Sequence, residues 1–134
     1  MSEDGGLLVL IVDDNERNRR LAREVLRFAG LRTIEAETAS EGIRLATDAL
    51  PGVVLMDIRL PDLDGPAALT RLRADPRTAG IPIVAVTSSA MMGDRERLLA
   101  AGFDGYLEKP INVQEFAAQV RSFGHAGEEG RDAG

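Results

Sequence analysis

Four short apolar runs in this chain each end in a residue that does not belong in a hydrophobic core. Residues 7–12 run into Asp13-Asp14-Asn15, 53–56 into Asp57, 81–86 into Thr87-Ser88-Ser89, and Gly105-Tyr106-Leu107-Glu108 into Lys109-Pro110. The first three are valine-, leucine- and isoleucine-rich and do not alternate strictly, which suits strands buried on both faces of a parallel sheet. Helical periodicity separates the runs. Leu21, Ala22, Val25, Leu26 and Ala29 share one face, with arginines on the others, and Gly30 closes that helix. Thr33-Ile34-Glu35-Ala36 reads as a weaker, more alternating strand near an edge. A second helix follows, capped by Thr38 or Ser40, with Ile43, Leu45, Ala46 and Ala49 as its apolar positions. Further helices are predicted over about 65–73, 91–101 and 113–123, the last burying Val113, Phe116, Ala117 and Val120. Five strands alternating with five helices make a doubly wound α/β sandwich, with right-handed crossovers placing helices on both faces. Strand order is not readable from the pattern alone.

Composition narrows the function classes. There is no cysteine, so disulfides and thiolate metal sites are excluded, and the one histidine, His125, lies in a Gly-rich tail. The net charge of −6 argues against nucleic acid as the main partner. No apolar run is long enough to cross a membrane, and the acidic start Met1-Ser2-Glu3-Asp4 lacks the basic region of a signal peptide, so a cytoplasmic location is expected. Residues 1–5 are expected to be a disordered leader, 6–124 the folded domain and 125–134 a disordered tail.

Parallel strands in one sheet bring their carboxyl ends to a common edge, where open α/β sheets bind ligands. Asp13, Asp14, Asp57, Thr87 and Lys109 should therefore converge. Any one of them has an ordinary alternative: Asp57 as a turn cap, Asp14 or Asn15 as a helix N-cap, Thr87 as a β-branched strand residue, Lys109 as a structural ion-pair partner. Together they suggest more. Carboxylates gathered without His or Cys suit Mg²⁺, which takes one or two carboxylates and keeps several waters. A cation, a lysine and a hydroxyl around one carboxylate are what formation of an acyl phosphate needs.

The set Val12-Asp13-Asp14-Asn15, the stretch Leu55-Met56-Asp57-Ile58-Arg59-Leu60-Pro61-Asp62-Leu63-Asp64-Gly65, Thr87-Ser88 and Lys109-Pro110 closely resembles the receiver domain of bacterial two-component response regulators. The resemblance spans about 6–124 and implies a flavodoxin-like (βα)5 fold, a three-layer sandwich with strand order 2-1-3-4-5. It implies Asp57 as phospho-acceptor, Mg²⁺ held by Asp13, Asp14, Asp57 and the backbone carbonyl of Arg59, and Thr87 and Lys109 contacting the phosphoryl oxygens. It also implies a cis Lys109–Pro110 peptide, and Thr87 and Tyr106 as the switch pair, acting on the fourth helix, fifth strand and fifth helix. For Tyr106, half-buried core is an equally good reading of the residue alone. Arg59 and Ser89 flank the site, where the family tunes phosphoryl lifetime.

The implied partners are a sensor histidine kinase or histidine phosphotransfer protein and a downstream protein target, with a monomer or weak dimer as the assembly. Such a domain catalyses its own phosphotransfer and dephosphorylation but is mainly a signalling switch. The eleven residues after Phe123 are too few for a DNA-binding domain, so direct DNA binding is not expected. The output is then docking on another protein or onward phosphotransfer. The basic first helix, with Arg17, Arg19, Arg20, Arg23 and Arg27, offers a docking surface for an acidic partner or simply a solvated face. A haloacid-dehalogenase-like phosphatase would need an acid where Arg59 stands. A dinucleotide-binding domain would need a Gly-rich turn where Asp13-Asp14-Asn15 stands. The remaining alternative is a receiver-like docking module that is never phosphorylated.

Overall fold

Val53–Asp57 forms a strand with every residue buried, and the sheet is built outward from it. The computed structural model describes residues 6–88 and 94–133, with side chains for 6–88 and 95–124. In chain order the elements are β1 (Leu8–Val12), α1 (Glu16–Phe28), β2 (Arg32–Ala36), α2 (Ala39–Ala49), β3 (Val53–Asp57), α3 (Gly65–Ala74), β4 (Ile83–Thr87), α4 (Asp94–Ala101), β5 (Gly105–Glu108) and α5 (Val113–Ala133). All pairings are parallel, in the order β2-β1-β3-β4-β5. This is the flavodoxin-like sheet the family resemblance implies.

Side-chain alternation along the strands divides the core into two layers. Leu10, Val12, Val54, Met56, Ile83 and Ala85 face Ala39, Ala46, Ala68, Leu69, Leu72 and Leu98 of α2, α3 and α4. Val9, Ile11, Val53, Leu55, Val84 and Val86 face Ala22, Leu26, Phe116 and Val120 of α1 and α5. With helices on both sides, the three central strands are apolar throughout, and the polar residues at their carboxyl ends stand out against them.

Local chemistry sets the helix ends. Asn15 caps α1, its side chain accepting from the Asn18 N–H at 3.1 Å; Thr38 caps α2 through Glu41, also at 3.1 Å; Asp64 caps α3 through Ala67 at 2.8 Å. Gly30 follows α1 at φ +94°, a backbone region where a Cβ is disfavoured.

Several expectations need correction. Arg19, expected on an outward face of α1, is only 7% exposed. Its guanidinium donates to the Asp13 carbonyl at 2.7 Å and pairs with Glu35 and Glu37 at 3.4 and 3.2 Å. Arg23 pairs with Glu35 at 2.7 Å, and Arg27 donates to the Thr33 hydroxyl at 3.0 Å. Arg19, Arg23 and Arg27 fasten α1 to the edge strand β2, while Arg17 and Arg20 of the basic helix are exposed. Leu21, Ala49 and Val113, expected on core faces, are exposed; Val113 is 55% exposed because α5 meets the sheet only from Phe116 onward. α5 is described from Val113 to Ala133, past the end at Phe123 that periodicity predicts. The alanines, glutamates and arginine between its glycines are good helix formers. The expected leader 1–5, the predicted helix start at 91 and Ser89 lie outside the described residues.

Candidate functional site

Register brings the polar strand ends to one edge. Asp57 lies opposite Val86 and Thr87 opposite Glu108, while Val12, just before Asp13, lies opposite Met56. Asp13, Asp57, Thr87 and Lys109 thus sit at the same end of neighbouring strands.

Asp57 is the last residue of β3, and its carboxylate is buried. Its Oδ1 accepts from the Arg59 N–H at 2.9 Å, and its Oδ2 accepts from the Lys109 ammonium at 2.9 Å. The same ammonium reaches Oδ2 of buried Asp13, also at 2.9 Å. The other oxygen of Asp13 accepts from the Asn15 N–H at 2.8 Å. Asp14 is exposed at the rim, and one oxygen from each of Asp13, Asp14 and Asp57 lies within 4.8 Å of the others. Lys109 is delivered by the β5–α5 turn, whose Lys109–Pro110 peptide is cis, and its own N–H donates to the Thr87 carbonyl at 2.7 Å.

Burial works to lower the pKa of Lys109, but its bonds to Asp57 and Asp13 and their charges outweigh that, and the ammonium is held above its ordinary value. It is therefore charged at neutral pH. Two of the three clustered carboxylates meet this ammonium, so among the described residues the cluster holds more carboxylates than cations in a partly buried place. Such a cluster of hard oxygen donors suits a small divalent cation.

Thr87 is buried at the end of β4 and lines a cleft of about 330 Å³ with Ile58, Arg59, Pro66 and Arg97. Tyr106 lies opposite Ala85, two residues before Thr87, so Thr87 and Tyr106 share the face that α4 covers. Tyr106 is half-buried, and the Arg95 guanidinium of α4 lies 5.9 Å from its ring centroid. The Arg59 side chain is exposed; its backbone is what touches Asp57.

Sequence reasoning missed two supports. Arg19 holds the Asp13 carbonyl, a contact with no sequence signal, since it depends on how α1 packs. Asp62, in the loop after Asp57, accepts from the Ala39 N–H at 2.9 Å, the Ser40 N–H at 2.9 Å and the Ser40 hydroxyl at 2.7 Å. The Ser40 hydroxyl, then the two amides, hold its carboxyl far below the usual carboxylate range. Its run of loop-forming residues read only as a turn.

Residues 9–121 match the family model of the response regulator receiver domain, and with this fold and site the chain belongs to that family, the phospho-acceptor domains of two-component signalling. It is 38% identical over 115 residues to the polar-differentiation response regulator DivK of Brucella ovis, covering 86% of this chain and 94% of that protein. The receiver domain of the sensor histidine kinase PA1611 of Pseudomonas aeruginosa, solved with a magnesium ion coordinated in its active-site cleft, superposes with a TM-score of 0.81 at 34% identity, covering 90% of this chain and 98% of that one. A CheY-like receiver domain protein of Methanospirillum hungatei gives 0.82 at 27% identity, covering 92% and 98%. Among the described residues no helix is long and apolar enough to cross a membrane.

Proposed function

We propose that Asp57 accepts a phosphoryl group from a phosphohistidine on a sensor histidine kinase or histidine phosphotransfer protein. The observation that carries this reading is the Lys109 ammonium, 2.9 Å from both Asp57 and Asp13, within a three-carboxylate cluster. An Asp57 oxygen attacks phosphorus, the new P–O bond forms as the P–N bond breaks, and the imidazole leaves with the electron pair and takes up a proton. Lys109, already charged and pointed at Asp57, offsets charge on the phosphoryl oxygens, and the Arg59 N–H fixes the carboxylate for attack.

The all-oxygen donor set fits Mg²⁺, with Asp13, Asp14, Asp57 and the Arg59 carbonyl as the groups that would hold it. When bound, the ion neutralises the carboxylates and draws charge from the transferring group. Thr87 supplies the hydroxyl that answers the new charge, and Tyr106, on the same face beneath α4, passes the change to the surface of α4, β5 and α5. A downstream protein reads that surface, or the phosphoryl group moves on to a second histidine.

Intact mass after incubation with Mg²⁺ and acetyl phosphate tests the reading. One phosphoryl group should be gained, only with Mg²⁺, and none by Asp57→Asn. No gain, together with no binding of beryllofluoride, would replace the phospho-switch with a phosphorylation-independent docking module.

A further inference from the structure

The loop between β3 and α3 carries Arg59, whose N–H fixes Asp57 and whose carbonyl is assigned above to the metal. Its base is closed tightly. The Gly65 N–H donates to the Ile58 carbonyl at 2.9 Å, and Arg59 and Asp64 form an isolated antiparallel bridge. A Cβ on Gly65 would come within 2.8 Å of the Ile58 backbone, so the closure needs glycine. The tip, by contrast, carries exposed Pro61 and Asp62 with nothing apolar to bury at those two positions. Leu60 and Leu63 on either side pack against the core, and between them the Asp62 carboxylate takes three hydrogen bonds from Ala39 and Ser40 in the first turn of α2.

We propose that Asp62 is a positioning residue for the phospho-acceptor site, a strap that ties the loop to the start of α2 and so holds the Arg59 backbone against Asp57. This rests on the reading of Asp57 and Arg59 given above. Mg²⁺ demands near-ideal octahedral geometry, so a carbonyl ligand on a loop whose tip is loosened is a poorer ligand than one on a loop fastened at base and tip. Neither Asp62 nor Ser40 touches the acidic cluster. The effect is therefore on where a ligand sits, and it should register in metal affinity before it registers in chemistry at saturating metal.

The test compares wild type, Asp62→Ala and Thr38→Ala. Thr38→Ala removes the side-chain cap of α2 and destabilises the same helix without touching the strap. Amide chemical-shift titration with Mg²⁺ should give a dissociation constant raised about tenfold in Asp62→Ala, the lower end of what outer-shell partners contribute. Thr38→Ala should match wild type. In metal-free protein, amide hydrogen exchange over 58–63 should quicken in Asp62→Ala alone. Acetyl phosphate labelling of Asp62→Ala should return to the wild-type rate once Mg²⁺ is saturating.

Unchanged affinity and exchange in Asp62→Ala would overturn the inference, as would an equal loss of affinity in Thr38→Ala, which would make helix stability the cause. These results differ from failure of the underlying reading, in which wild type itself would neither bind Mg²⁺ nor become labelled.

Discussion

Two charged clusters share a single residue, and they are built on opposite principles. On one side of Asp13, its carbonyl takes Arg19, which with Arg23 meets Glu35 and Glu37. There two cations face two anions, each within ion-pair distance of a partner, and α1 is fastened to β2. On the other side, the Asp13 carboxylate joins Asp14 and Asp57, and among the described residues Lys109 is the cation that meets this group, through Asp13 and Asp57. The first cluster is balanced and needs nothing further. The second is short of positive charge and lies at the sheet edge where strand ends converge. Proteins do not gather like charges in partly buried places for stability. Imbalance is what separates the site from the scaffold here.

The largest effect should come from removing the ammonium that meets the unbalanced cluster. Lys109→Met leaves three neighbouring carboxylates with no ammonium, and in metal-free buffer it should cost about 2 kcal/mol in denaturant unfolding, below the full penalty for a buried pair because the lysine is partly exposed. Millimolar Mg²⁺ should then restore much of the loss, giving a larger metal-dependent gain than in wild type. A loss that Mg²⁺ does not touch would mean the carboxylates do not form a cation site.

Arg19→Met is the matching change in the balanced cluster. Glu35 keeps Arg23 and Glu37 is exposed, so the cost is chiefly the bond to the Asp13 carbonyl and one buried pair, about 1–2 kcal/mol. The Asp13 carboxylate is still fixed by the Asn15 N–H and by Lys109, so the stabilisation conferred by Mg²⁺ should equal that of wild type. A reduced response to Mg²⁺ in this variant would show that the two clusters are coupled through Asp13 and are not independent.

The same contrast explains what could be read from the amino-acid sequence. Asp13, Asp57, Thr87 and Lys109 were legible because apolar runs of fixed length must lie side by side in a parallel sheet, and their ends then meet whatever the loops do. The order of the strands was not legible from pattern; it came from the family resemblance. Arg19 was not legible either. An arginine among five on one helix reads as solvated, and only the packing of α1 over the edge strand decides that this one meets Glu35. Val113 misled for a related reason. It continues the apolar period of α5, yet it stands in the first turn, before the helix reaches the sheet. Asp62 was hidden by its neighbours, since Pro61-Asp62-Leu63-Asp64-Gly65 has the composition of any turn, and its partners at Ala39 and Ser40 lie more than twenty residues away in the chain.

Asp62 belongs to neither cluster: its carboxylate is met by neutral donors at the start of a helix rather than by a cation. Those donors lower its pKa in the folded protein, so the unfolded chain takes up the proton at higher pH than the folded one does. The stability Asp62 confers is therefore complete above the unfolded value of about 3.9 and is lost as pH falls toward the folded one. Asp62→Asn cannot titrate. The difference in Tm between wild type and Asp62→Asn should thus be constant from neutral pH to about 5 and shrink on further acidification. Because Asp62 is exposed, this is the smallest of the expected effects, and raised salt should narrow it further. A difference that stayed flat down to pH 3 would mean that the strap holds through the geometry of its hydrogen bonds alone, without help from the charge.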